Sequence, residues 1–245
     1  MTRPISDYSV LTFDCYGTLI DWESGIWDAL QPVIRSSGRS DITRDDALRL
    51  FAEVETANEA ATPSLIYPEL LQAVHRQMTE ALELDSSDEM DRRFGASVPF
   101  WPAFRDTADA LRLLATRFDL VILSNVDRAG FAASNQRLGV DFDAIYTAED
   151  VGSYKPNPAN FVYMLDHLEA DLGHRAPDVL HCAQSAWHDH GPVNEIGLDN
   201  VWIDRQRLSA GGSWGATAPL AALPEAQHVF FSMAEFARAA CSTEQ

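Results

Sequence analysis

The 245-residue chain is poor in cysteine, poor in basic residues and free of long apolar runs. Its three cysteines, Cys15, Cys182 and Cys241, form no C-x-x-C pair and leave one over, so neither a disulfide framework nor a cysteine-held zinc site is indicated. With 18 Lys and Arg against 37 Asp and Glu, the formal net charge is −19. No basic run interrupts that charge, so nucleic acid and anionic membrane are repelled at long range and neither is expected as a partner. No apolar stretch approaches the roughly 20 residues of a membrane span. The opening MTRPISDYSV lacks an apolar secretory core, and the expectation is a cytoplasmic protein with reduced thiols. What is present is ordinary for a folded chain: 46% hydrophobic, 10% aromatic and 22% charged residues, enough for one large domain or a core carrying an insert.

Apolar runs bounded by turns recur as YSVLTF, FDLVIL, AIYT, VLHCA and NVWI, with helical patterns between several of them. Strands alternating with helices predict an α/β fold, a Rossmann-like parallel sheet with helices on both faces and its chemistry at the carboxyl ends of the strands. Residues 21–99 read differently. SGIWDALQPVI, RDDALRLFAEVETANEA and PELLQAVHRQMTEALEL are amphipathic helical patterns with no strand between them, which predicts an all-helical cap inserted into a core of residues 1–20 and 100–245. Thr43, with Asp46 three residues on, is the expected cap of one of these helices. The chain returns through SVPFWPAFRDT, where Pro99 and Pro102 mark a linker. LSAGGSWGATAPLAALPEA reads as a long loop before a short strand HVFF and a terminal helix.

Three strand ends carry reactive side chains. In LTFDCYGTLIDW a lone acid, Asp14, follows a buried strand, a costly position unless donors hold it; the turn at Gly17 and Thr18 offers N–H groups and a hydroxyl. So held, a carboxylate can act as a nucleophile, and the alternative is that it caps the turn. Cys15 beside it reads as a small buried filler more readily than as a nucleophile, and by position it joins the candidate substrate-binding residues. Leu123-Ser124-Asn125 ends a second strand with a hydroxyl and an amide able to bind carboxylate or phosphoryl oxygens. Lys155, in the Pro-bounded loop of GSYKPNPANF, is placed to neutralise Asp14. In HCAQSAWHDHGPVNEIG, Asp189 stands between His188 and His190, a plausible holder of water.

In order and spacing, DCYGT, LSN, YKPNP and HDH..VNEIG resemble the four motifs of the haloacid dehalogenase superfamily over essentially the whole chain. The resemblance implies Asp14 as nucleophile, Ser124 as the second-motif hydroxyl, Lys155 as the third-motif lysine and Asp189 as the fourth-motif acid. Phosphatases of that superfamily place a second aspartate two residues after the nucleophile, beside magnesium. Here Tyr16 occupies that position, and a phenol does not replace a carboxylate next to a hard cation. D-x-Y-G-T instead resembles the 2-haloacid dehalogenases, which implies a metal-independent hydrolase with no cofactor, acting on a small carboxylic acid through an aspartyl ester. Thr18 would position Asp14, Ser124 and Asn125 would bind the substrate carboxylate, and Asp189 with His188 would prepare water. Tyr16, Trp22 and Tyr67 would wall the reacting carbon.

The pattern departs from those dehalogenases at several positions. Ala186 stands for an asparagine, Gln184 for a serine, His188 for a tryptophan and Phe161 for a tyrosine, and the halide-binding cap arginine has only Arg39 and Arg44 near its place, out of register. TPSLIY, FWPAF and VWIDR together with these departures resemble the L-azetidine-2-carboxylate hydrolases of the same branch. There an amine leaves in place of halide, and His188 or His190 would carry a proton. A magnesium phosphatase and a non-catalytic carboxylate-binding protein are the remaining alternatives. Relatives of the branch are often dimers, and the apolar cap face permits a homodimer here.

Overall fold

The computed structural model describes residues 3–213 and 222–242. β1 (Val10–Phe13) is buried throughout. After it the chain leaves the sheet and forms α1 (Trp22–Ser36), α2 (Arg44–Ala61), α3 (Tyr67–Ala81) and α4 (Asp88–Gly95). It then returns as α5 (Thr107–Leu114), β2 (Asp119–Ser124), α6 (Arg128–Leu138), β3 (Ala144–Thr147), α7 (Ala148–Val151) and α8 (Ala159–Leu172). β4 (Val179–Ala183), α9 (Gly191–Glu195), β5 (Asn200–Ile203), β6 (His228–Phe230) and α10 (Met233–Cys241) complete the described chain.

The six strands lie in the order β3-β2-β1-β4-β5-β6, every pair parallel. This is the expected α/β sheet, and its central strands are nearly continuous apolar runs because both faces are covered. Leu11 and Phe13 point into one core with Leu111 and Phe236 of α5 and α10, while Val10 points into a second with Phe161, Met164 and Leu168 of α8. On this second face two polar residues interrupt the apolar pattern, Thr12 of β1 and His181 of β4. They are register partners and hydrogen-bond to each other, Thr12 Oγ1 to His181 Nδ1 at 2.8 Å.

Three of the four cap helices start where the sequence supplies an acceptor, Asp21 for Ser24 N–H, Thr43 for Asp46 N–H and Ser87 for Met90 N–H, while α3 follows Ile66 with Pro68 in its first turn and no side-chain cap. The two crossings between cap and sheet are strapped together, with Asp21 N–H on Pro102 O at 2.8 Å and Phe104 N–H on Leu19 O at 3.1 Å. Trp101 in the return crossing lies so close over α1 that a Cβ on Gly25 would fall 2.3 Å from its ring. Of the predicted C-terminal loop, residues 214–221 lie outside the described residues, and the short strand and terminal helix are β6 and α10. Among the described residues no helix is long and apolar enough to cross a membrane.

Candidate active site

The carboxyl ends of β1, β2 and β4 converge beneath the cap. Asp14 follows β1 and is only 6% exposed, and each of its oxygens has a donor: Thr18 Oγ1 to Oδ2 at 2.6 Å and Lys155 Nζ to Oδ1 at 2.9 Å. The Thr18 hydroxyl is itself aimed, because it accepts the N–H of Gln184 at 2.9 Å and so turns its proton toward Asp14. Gly17 makes this turn possible. It has φ +96°, and a Cβ there would press on Gln184 Oε1 at 3.0 Å and Trp22 Nε1 at 3.2 Å. Its N–H goes to Ile20 O, so the hydroxyl of Thr18, and not the N–H of Gly17, is what the turn offers Asp14.

Lys155 is the sole lysine of the chain. Its ammonium, 1% exposed, also donates to Leu123 O at 3.0 Å and to Asp189 Oδ1 at 2.6 Å, so its three protons have three acceptors and bridge the two carboxylates. Asp189 sits in a π-helical turn, Ala186–His190, after β4. Its Oδ1 receives His181 Nε2 at 3.0 Å as well, and its Oδ2, also buried, meets no donor among the described residues. Burial pushes Asp14 up despite Lys155. Asp189 is also buried, but the Lys155 charge and the His181 hydrogen bond hold it well below the usual carboxylate range. Asp14 is therefore the more basic of the two, the property a nucleophile needs.

Above Asp14 and Lys155 lies a cavity of about 290 Å³, walled by Tyr16, Trp22, Tyr67 and Trp187 and bordered by Asn125, Gln184, Ser185 and His188. Its roof is α2, which contributes Ala52, Glu55, Thr56 and Glu59. Tyr67 donates to Glu55 Oε1 at 2.6 Å, and Asn125 donates to Glu59 Oε1 at 3.1 Å. Burial, then the neighbouring Glu59, raises the Glu55 pKa to about 8. His188 Nε2 lies 3.5 Å from Glu59 Oε2, an ion-pair contact without hydrogen-bond geometry. Burial alone would lower the His188 pKa, but Glu59, then Asp189 and Glu55, outweigh it and raise it.

Two carboxylates after parallel strands and a lysine that bridges them from the loop beyond α7 are the arrangement that the motifs imply, and the model of one family, haloacid dehalogenase-like hydrolase, matches residues 8–176. The chain is a haloacid dehalogenase-like hydrolase. It is 26% identical over 202 residues, 79% of its length and 82% of the relative's, to (S)-2-haloacid dehalogenase 4A of Burkholderia cepacia. A dehalogenase solved with an intermediate complex superposes with a TM-score of 0.76 at 21% identity, covering 94% of this chain and 96% of that one. The L-2-haloacid dehalogenase of Xanthobacter autotrophicus gives 0.75 at 17% identity, over 94% and 97%.

In this hydrolase Asp14, Lys155, Tyr16, Trp22, Tyr67, Asn125 and His188 all border one cavity, with Thr18 and Asp189 hydrogen-bonded behind it. Three of the candidates are placed apart from this wall or have their polar atoms already engaged. Cys15 is fully buried in the core beneath the site and does not border the cavity. Ser124 is 2% exposed and its hydroxyl accepts Val126 N–H at 3.4 Å, so it too lies off the cavity wall. Asn125 reaches the cavity, but its amide is committed: it donates to Glu59 Oε1 and Lys155 O and accepts Lys155 N–H at 2.7 Å. Through these bonds it ties Glu59 of the cap to the Lys155 loop of the core. Of the two histidines, His188 faces the cavity, while His190 is buried between Asn200 Oδ1 and Ala183 O. Arg39 and Arg44 turn to Asp41 and Glu23 and stay off the wall.

The residues of this family member that sequence reasoning missed are Glu55, Glu59, His181 and Arg205. Leu48 and Phe51 set an apolar stripe on α2 whose continuation, by helical spacing, is 55 and 59. Acids at those two positions were the available signal. His181 passed as one residue of the strand pattern VLHCA. Arg205 donates twice to Thr18 O, at 2.9 and 2.7 Å, and lies over the Phe104 ring at 3.8 Å, clamping the loop that carries Thr18.

The site does not assemble a place for a divalent cation. Both oxygens of Asp14 and Oδ1 of Asp189 already have donors, and Tyr16 supplies no carboxylate, its hydroxyl being paired with Ser134 Oγ at 2.8 Å. Among the described residues no three His, Cys, Asp or Glu side chains form a group able to hold a metal.

Proposed function

We propose that the chain is a metal-independent hydrolase that replaces the substituent on carbon 2 of a small carboxylic acid, most simply the halide of a 2-haloacid, through a covalent ester on Asp14. The observation that carries this reading is the Asp14–Lys155–Asp189 bridge on the floor of a cavity of about 290 Å³ that α2 roofs. The similarity to (S)-2-haloacid dehalogenase 4A supports it. Asp14, held by Thr18 and Lys155, attacks the carbon in line, and the leaving group departs with the bonding pair. Ester formation removes the negative charge of Asp14, so Lys155 then faces Asp189 and the oxyanion that develops when water adds to the ester carbonyl. The water proton passes to Asp189 or His188, the bond from Cγ to the substrate oxygen breaks, and the alkoxide recovers a proton as the hydroxy acid leaves. The apolar and aromatic wall keeps other water from the carbon during the first step.

A second reading, opening of L-azetidine-2-carboxylate, is favoured by Glu55 and Glu59. A departing amine can hydrogen-bond to either carboxyl and take a proton from Glu55, whose pKa is raised to about 8, whereas a departing halide gains no cation from this pair. Proton NMR in EDTA, with L-2-chloropropionate and L-azetidine-2-carboxylate in parallel and Asp14→Asn as control, separates the readings. Formation of lactate supports dehalogenation, and opening of the azetidine alone supports the second reading. Turnover by the Asp14→Asn variant would remove the covalent mechanism from both.

A further inference from the structure

Asp189 has its two oxygens in unlike situations. Oδ1 accepts from both Lys155 Nζ at 2.6 Å and His181 Nε2 at 3.0 Å, while Oδ2 is buried without a donor among the described residues. A buried carboxylate oxygen left bare is costly, and the cost is expected to be repaid by a water or by a proton during reaction. The asymmetry is built from the sheet. Thr12 and His181 are register partners on β1 and β4, both fully buried, and Thr12 Oγ1 meets His181 Nδ1 at 2.8 Å. The Phe161 ring stands edge-on to the imidazole, centroids 5.4 Å apart at 84°. The imidazole is thus held at both nitrogens, with Phe161 packed perpendicular beside it. Because a carboxylate only accepts, Nε2 must carry the proton it gives to Asp189.

We infer that Thr12 and His181 form a positioning pair that fixes Asp189 through Oδ1 and leaves Oδ2 as the proton acceptor for the water that cleaves the Asp14 ester. The shared ammonium of Lys155 keeps the two carboxylates within the span of one bridging water. In that step the water oxygen bonds to Cγ of Asp14 and its proton goes to Asp189 Oδ2. The bond from Cγ to the substrate oxygen then breaks, and the alkoxide takes the proton back from Oδ2. Without His181, Asp189 can rotate about its side chain and pair either oxygen with Lys155, so the acceptor loses its aim. Histidine here acts through Asp189 and touches neither substrate nor ester.

The inference rests on the covalent reading proposed above, and the test separates the two. Wild type, His181→Leu, His181→Gln and Thr12→Val are mixed with excess L-2-chloropropionate or L-azetidine-2-carboxylate, and the Asp14 ester is followed by intact mass spectrometry after quenching. His181→Leu should slow ester hydrolysis about ten- to a hundredfold, the range for losing a hydrogen bond to a charged group, so that ester accumulates. His181→Gln, whose amide restores a donor near the Nε2 position, should recover most of the rate, and Thr12→Val should fall between them. KM should fall along with kcat, and kcat/KM should stay near wild type, because only the step after the ester has formed is slowed. A second readout needs no turnover: with ¹⁵N-lysine labelling the single lysine side chain reports the Asp189 pairing directly. Its Nζ resonance should move in folded His181→Leu and return in His181→Gln. An unmoved resonance, or an ester lifetime equal to wild type with only a lower melting temperature, would overturn the positioning role. Absence of ¹⁸O from Asp14 after turnover by wild type in labelled water would instead overturn the covalent reading, while the lysine resonance would still decide the pair.

Discussion

On the floor of the cavity each ionised group meets its opposite: Lys155 bridges Asp14 and Asp189, and His181 completes Asp189. On the roof, contributed by α2, two glutamates stand one helical turn apart with a tyrosine, an amide and the edge of His188 as company. The floor keeps its charges because they are paired. On the roof, burial and then the neighbouring Glu59 raise one pKa, that of Glu55, to about 8. The floor therefore fixes what reaction is run, and the roof fixes what may approach it.

Breaking the floor should have the largest effects. Asp14→Asn should reduce turnover to background while leaving the circular dichroism spectrum that of wild type and lowering the melting temperature only modestly, since its single amide oxygen can still accept from Lys155 and the Thr18 hydroxyl can turn to accept from its N–H. Lys155→Met should lose activity too, but with a different signature. It strands two buried carboxylates, a situation that costs on the order of 3–5 kcal/mol, measurable by urea denaturation. Equal stabilities for the two variants would mean that the ammonium is not what keeps Asp14 and Asp189 ionised.

Breaking the roof should change selection before rate. Glu59→Gln keeps an acceptor for Asn125 and removes one charge, so kcat/KM for L-azetidine-2-carboxylate should fall about tenfold relative to that for L-2-chloropropionate, the size of one partly screened charge contact. A parallel fall for both acids would assign Glu59 to cap closure alone. Arg205→Met then tests the buttress between the regions. Losing both bonds to Thr18 O should cost about 1–3 kcal/mol of stability, with kcat reduced through a loosened Thr18 and substrate preference unchanged.

The floor was far more legible in the sequence than the roof, for a physical reason. Asp14 and Asp189 follow buried strands, where a charge is costly unless it is paired, Lys155 lies in the Pro-bounded loop beyond α7, and parallel topology brings these segments together. Glu55 and Glu59 lie on a helix, where acids are usually solvated, and only the docking of α2 over the sheet turns them inward. Asn125 shows the converse. Its position in Leu123-Ser124-Asn125 pointed to the site, but its amide is consumed by Lys155 and Glu59, a fact that depends on which cap residue descends onto it. Thr12 and His181 were hidden by their strands: on a two-sided buried sheet a polar residue is conspicuous only once its register partner is known.

The smallest effect expected here is also the one that most directly reads the roof. Glu55 has its pKa raised from the ordinary 4.5 to about 8 in the folded protein. Between those values the folded chain holds a proton that the unfolded chain has released, so Glu55 favours folding below about pH 4.5 and that advantage drains away as pH climbs to about 8. Glu55→Gln has no such proton to lose. Any change in the Tyr67 contact is a fixed offset at every pH, so the stability of Glu55→Gln relative to wild type should rise between pH 5 and pH 9. Because Glu55 faces the cavity and meets some water there, the gain should be on the order of 1–2 kcal/mol. Urea midpoints at the two pH values measure it. A difference that does not change with pH would mean that Glu55 is ionised beside Glu59 at neutral pH, and the roof would then present two full charges to whatever enters.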